Sequence, residues 1–149
     1  MVCFLVFGCV HKLEDNWQTI EIGDYFFDFP NDYKLIKQQG YDSYVGIIKG
    51  DSITFNFDFG TTTGNLTSDS EEWIECFNKA QIDTVDDLYR VITVPVEPCR
   101  GVTGVSICKL EEFTKSNNGF LALGLTVRDL TERQKALALK IYKTGRHKK

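Results

Sequence analysis

A chain of 149 residues with 42% hydrophobic and 13% aromatic side chains can form one ordinary domain with a real core, which excludes a disordered polypeptide. Its formal charge of −4 is unevenly placed: residues 140–149 hold five Lys or Arg and no acid, leaving twelve cations against twenty-one acids, or −9, on residues 1–139. An acidic body argues against non-specific nucleic-acid binding, which draws on clustered cations, and having only His11 and His147, both beside the ends, argues against Ser-His-Asp, Cys-His and His-rich zinc sites.

Residues Met1–Val10 are almost wholly apolar, and His11–Asn16 are polar. Such a run is about half of the roughly twenty residues that a membrane-spanning helix needs. Its length matches the apolar part of a secretory signal. Within it, Val6-Phe7-Gly8-Cys9 resembles a bacterial lipobox, in which a small residue precedes the cysteine that becomes the lipid-modified N-terminus. The resemblance implies lipidation at Cys9, a signal over residues 1–8, a linker over 9–16, one domain over 17–149, and a place in the bacterial cell envelope. An N-terminal strand or a disordered apolar end is the alternative, and either leaves the protein in the cytoplasm.

Trp17 to Phe29 reads as two strands interrupted by Gly23-Asp24, with Phe27 and Phe29 on one face, and Pro30-Asn31-Asp32 closes the segment. Tyr33–Ile36 is a short extended piece. Gly40–Gly60 is a β-hairpin about Lys49-Gly50-Asp51-Ser52, because Ile53, Phe55, Phe57 and Phe59 alternate with Thr54, Asn56 and Asp58. Tyr41, Ser43, Val45 and Ile47 alternate on the strand before it. Short turns between these strands predict an antiparallel meander.

Residues 60–70 have loop composition. Ser68-Asp-Ser-Glu71 has capping-box spacing and predicts a helix carrying Trp73, Ile74 and Phe77 on one stripe. Ile82–Asp87 is ambiguous between a loop and a turn of helix. Leu88–Val96 reads as a strand, Val102–Phe113 as another broken by Gly104, Ser116–Gly119 as a hairpin loop, and Phe120–Val127 as its return. That last strand is apolar on both faces, which predicts a central position. Thr131-Glu-Arg-Gln134 repeats the capping box, and Leu130, Leu137, Ala138, Ile141 and Tyr142 predict a terminal helix stopped by Gly145, with solvated basic residues after it.

The fold class is therefore α+β, an antiparallel sheet of about six to seven strands with helices on its faces. Tyr25-Phe-Phe-Asp-Phe-Pro30 with Tyr33 after it, and Ala136-Leu-Ala-Leu-Lys-Ile-Tyr-Lys-Thr144 running into a basic end, are similar to the PsbP-like fold of extrinsic photosystem subunits and their relatives. A lipobox before such a domain also resembles small lipoproteins of Bacteroidetes-type bacteria. These resemblances imply a binding or scaffolding module on the membrane more than an enzyme.

One site is expected at the open end of the hairpin. Asp42, Ser43 and Tyr44 precede one strand, Asp58, Thr61 and Thr62 lie on or after the other, and antiparallel pairing makes those ends neighbours. They form a candidate site for a small ligand or a cation; the plainer alternative is a polar strand face and a solvated loop. Two further functions stay open: a hydrolase using carboxylates such as Asp42 and Asp58 as acid and base, and an inhibitor or structural partner of another exported protein. Cys99 and Cys108 flank two glycines and could pair in an oxidising compartment, or stay buried and reduced. No Cys-x-x-Cys is present, and neither a cofactor nor a metal is expected.

Overall fold

Ten strands and two helices form within residues 14–62, 78–96, 101–115 and 119–149, the residues that the computed structural model describes. They are β1 (Trp17–Ile22), β2 (Tyr25–Pro30), β3 (Lys34–Gln38), β4 (Tyr44–Lys49), β5 (Thr54–Thr62), β6 (Asn78–Val85), β7 (Leu88–Pro95), β8 (Val102–Lys109), α1 (Leu110–Lys115), β9 (Phe120–Arg128), α2 (Glu132–Lys143) and β10 (Arg146–His147). Seven strands make one sheet in the order β3-β4-β5-β9-β8-β7-β6, and three make a second in the order β1-β2-β10. Every pairing is antiparallel. The α+β class read from the sequence holds.

Period-two alternation decides which layer each side chain joins. Phe27 and Phe29 of the small sheet, Phe55, Leu123 and Leu125 of the large one, and Ile141 and Tyr142 of α2 are all fully buried. One face of the large sheet is thus covered by the small sheet together with α2. Rings lock these layers: Phe55 lies 5.7 Å from Phe29 and 6.0 Å from Tyr142, both edge to face, an arrangement that suits the ring quadrupoles. On the other face α1 covers a smaller cluster, with Phe113 stacked on Tyr89 at 4.1 Å beside Cys108, Phe120 and Ala122. Strand β9, apolar on both sides, stands fourth of seven, as its composition predicts.

The expected meander breaks after β2. Pro30 lacks an N–H for a further ladder bond, and the side-chain amide of Gln18 donates to the carbonyls of Asn31 (3.0 Å) and Tyr33 (2.7 Å). A side chain of β1 thus takes those acceptors where the chain leaves the small sheet and crosses to the other layer. On β4 the core face carries Tyr44, Gly46 and Ile48, and Val45 and Ile47 face the other way. Residues 82–85 belong to β6, and the ambiguity there is resolved as a strand followed by a turn in which Asp86 and Asp87 take φ of 49° and 65°. Strand β8 runs through Gly104 unbroken; a Cβ at that position would meet Thr126 Cγ2 at 3.0 Å, so close strand approach explains the glycine. The strand expected to reach Phe113 stops at Lys109, where the Leu110 N–H leaves the sheet and donates to Asp87 O at 2.8 Å. The helix expected from Ser68 to Phe77 and the loop residues 116–118 lie outside the described residues, as does Cys9.

Helix α2 begins with the expected capping box: Thr131 Oγ1 accepts from the Gln134 N–H, and Gln134 Oε1 accepts from the Thr131 N–H. Beyond Gly145 the basic end is not simply solvated. Arg146 and His147 pair with Phe26 and Tyr25 of β2 as β10, Arg146 bridges the buried Asp28 at 3.0 Å, and Lys148 bridges Glu21 at 2.8 Å. The acidic body holds the basic end down.

Candidate functional site

Hairpin pairing and sheet order together build a cleft on the large sheet's second face. Asp58 of β5 stands opposite Gly124 of β9, which in turn stands opposite Ser106 of β8. Adjacent strands are about 4.8 Å apart, so the Asp58 and Ser106 backbones flank a strip roughly 10 Å wide whose middle position has no side chain. A Cβ at Gly124 would meet nothing nearer than 3.9 Å. The glycine leaves a recess.

Asp42 and Ser43, from the connection between β3 and β4, close one side of it, and the cleft they bound with Asp58, Thr61, Ser106 and Gly124 has a volume of about 480 Å³. Small-ligand sites commonly span about 300–1,000 Å³. Ser43 lies directly over Gly60, where a Cβ would meet the serine Cβ at 2.9 Å. That contact needs the glycine. Both carboxylates are exposed, and among the described residues no side-chain hydrogen bond or ion pair holds either one. By contrast the acids of a second groove, about 570 Å³, are neutralised in place: Lys109 pairs with Glu112, and Lys115 with Glu111.

Of the residues expected at the site, Asp42, Ser43, Asp58 and Thr61 line the cleft. Tyr44 does not. It points to the core face, 5.1 Å from Phe57 and under the Lys37 ammonium at 5.3 Å. Its even position on β4 puts it opposite to Ser43 by strand alternation. Thr62 ends β5, opposite Phe120. Ser106 and Gly124 were not expected, because only long-range pairing brings β8 and β9 beside the hairpin. No group of three or more His, Cys, Asp or Glu that could hold a metal ion occurs among the described residues.

Cys108 is free and fully buried, and its expected partner Cys99 lies outside the described residues. Burial, aided by the Glu112 charge, pushes the thiol up to about 11. Because only the thiolate is a strong nucleophile, Cys108 is expected to react with a disulfide reagent at pH 7 on the order of a hundredfold more slowly in the native protein than in urea. Mass mapping of the labelled peptide over time checks this, and equal rates would show that the side chain is open to solvent.

The fold and the cleft together define an α+β domain with an open, acidic, hydroxyl-lined recess on one sheet face. No family model matches the chain, and no curated protein matches it.

Proposed function

We propose that the chain is an exported binding module, tethered to the membrane by lipid on Cys9, which takes a small organic cation in the cleft between Asp42 and Asp58. One observation carries the reading: two carboxylates without ion-pair partners among the described residues border one recess together with hydroxyl groups and a bare glycine floor. An ammonium seated there neutralises the carboxylates while the serine and threonine hydroxyls complete its hydrogen bonding. The net acidity of the body adds attraction at longer range. The lipobox-like Val6-Phe7-Gly8-Cys9 and the PsbP-like sequence features support the envelope part of the reading.

An exposed ion pair contributes about 0.2–1 kcal/mol, which sets the scale of the test. In calorimetric titration with a linear alkyl diamine, Asp58→Asn is expected to weaken binding by up to about fivefold and Asp42→Asn/Asp58→Asn by about tenfold or more. Affinity also falls as salt rises, since the charges are solvated. Absence of diamine binding to the wild type, or equal affinity in the double variant, overturns the ligand assignment. Intact mass of the protein from its native host tests the tether separately, and an unmodified Met1 N-terminus overturns that part alone.

A further inference from the structure

We propose that β6 is a self-association edge, and that two copies of the chain join by antiparallel β6–β6 pairing about a two-fold axis. The inference starts from the β6–β7 turn. Val85 and Leu88 flank a two-residue connection in which Asp86 and Asp87 both have positive φ, 49° and 65°. That is the geometry of a type I′ hairpin, whose flanking residues form a hydrogen-bonded pair. Antiparallel ladders alternate hydrogen-bonded and non-hydrogen-bonded pairs. Counting back from Val85, the inward-bonded residues of β6 are Val85, Asp83 and Gln81, and the backbone N–H and C=O groups of Thr84, Ile82 and Ala80 point away from β7. Asn78 falls in the outward set too, opposite Pro95, which has no N–H to offer and needs none in a non-hydrogen-bonded pair. The assignment is therefore consistent along the whole strand.

Among the described residues nothing pairs with that outer row. Ala80, Gln81, Ile82, Thr84 and Val85 are all exposed, Ile82 at 52% and Val85 at 44%. Only an extended chain presents the matching alternation of donors and acceptors. The two edges of the large sheet differ in their chemistry. On β3, Lys34 and Lys37 are both exposed and guard the edge against pairing. On β6 between Ala80 and Val85 the one charge is Asp83, and Arg90 neutralises it through a two-pronged contact, with both N–O distances 2.9 Å. Two copies of β6 can therefore approach without like-charge repulsion.

A second copy of this strand is its own complement. Pairing centred on Ile82 sets Ile82 against the partner's Ile82 and Ala80 against the partner's Thr84, both in the outward-pointing set. It also sets Gln81 against the partner's Asp83 in a non-hydrogen-bonded pair, the closer of the two kinds, so that an amide donor meets a carboxylate. The acidic turn at Asp86-Asp87 then lies at the end of the partner strand that carries Lys79, and never against the partner's own acidic turn. Such an interface is isologous and closed. It joins the two large sheets edge to edge and leaves the Asp42/Asp58 cleft, which lies over β5, β9 and β8 with β7 between it and the joined edge, open in both copies.

Sedimentation equilibrium of the full chain over micromolar to submillimolar concentrations tests this. The wild type is expected to show a reversible monomer–dimer equilibrium. Ile82→Lys and Ile82→Glu, each placing like charges on the two-fold, are expected to weaken it by roughly tenfold or more, with unchanged urea unfolding to show that each monomer folds. Mixing the two variants restores the dimer, because residue 82 then meets an opposite charge. A wild type that stays monomeric, a dimer indifferent to both variants, a mixture that stays monomeric, or an open-ended polymer each overturns the proposal. None of these outcomes bears on cation binding, which the monomer carries by itself.

Discussion

Phe55→Ala is expected to lower the free energy of unfolding by about 4 kcal/mol, within the roughly 3–5 kcal/mol range for removing a buried aromatic ring. Phe55 is fully buried and meets rings contributed by three separate segments: Phe29 of β2 at 5.7 Å, Tyr33 of the connection after it at 6.1 Å, and Tyr142 of α2 at 6.0 Å. None of these partners can follow a shrinking side chain without leaving its own layer, so the cavity persists. The lost edge-to-face contacts with Phe29 and Tyr142 add to the transfer term. Against a total stability of about 5–15 kcal/mol, this one ring is a large fraction. Urea unfolding followed by tryptophan fluorescence measures the change, with Asn56→Ala as the control. Asn56 is exposed on the opposite face of the same strand, and a change within about 0.5 kcal/mol is expected there. A loss below about 1 kcal/mol for Phe55→Ala would mean that the layers do not close on it.

The same strand shows why much of the large sheet could be read locally. Ile53, Phe55, Phe57 and Phe59 declare a face by alternation alone, and Phe120–Val127, apolar on both faces, declares a strand covered on both sides. Both signals are short-range and do not depend on which strand pairs with which. The capping box at Thr131 and Gln134 is equally local, and it forms as spaced. What failed is whatever needed a partner to be known. The break between β2 and β3 depends on Gln18, more than a dozen residues away, taking the carbonyls of Asn31 and Tyr33. The docking of the basic end as β10 depends on Asp28 and Glu21, far apart in sequence from Arg146 and Lys148.

The candidate site divides along the same line. Asp42, Ser43, Asp58 and Thr61 meet because one hairpin joins them, which is a local fact. Tyr44 was misplaced by a single position, and in a strand one position changes the face. Ser106 and Gly124 reach the cleft only because β9 pairs with β5 and β8 pairs with β9, and Gly124 contributes by having no side chain. No sequence pattern marks a glycine as the floor of a recess. Gly104 reads as a strand break from its sequence alone, yet it lies within β8 beside Thr126, where a side chain would crowd the neighbouring strand.

Arg90→Ala is expected to destabilise the protein by about 3 kcal/mol, near the lower end of the 3–5 kcal/mol that follows when one partner of a buried ion pair is removed. The guanidinium spans three elements. Its Nε and Nη2 donate to the two oxygens of Asp83 on β6, each at 2.9 Å, and its Nη1 donates to Lys143 O at the end of α2, also at 2.9 Å. Truncation thus strands a carboxylate and a helix-terminal carbonyl together, and the last turn of a helix has few other donors. The lower end applies because the Asp83 side chain keeps 30% of its surface, against 9% for Arg90, so water partly replaces the lost partner. Arg90→Lys retains the charge but not the planar fork, and it is expected to recover less than half of the loss. Asp83→Ala combined with Arg90→Ala should cost less than the sum of the single changes, which separates the pair's coupling from the packing of the arginine stem. Hydrogen exchange locates the remaining effect. Because Arg90 holds the Lys143 carbonyl next to Thr144, whose hydroxyl accepts from the Asp28 N–H at 2.9 Å, Arg90→Ala should speed exchange in the last turn of α2 and in the β2–β10 ladder before it affects β9. Uniform acceleration across the large sheet would instead show that Arg90 supports the global fold and not the junction between α2 and the small sheet.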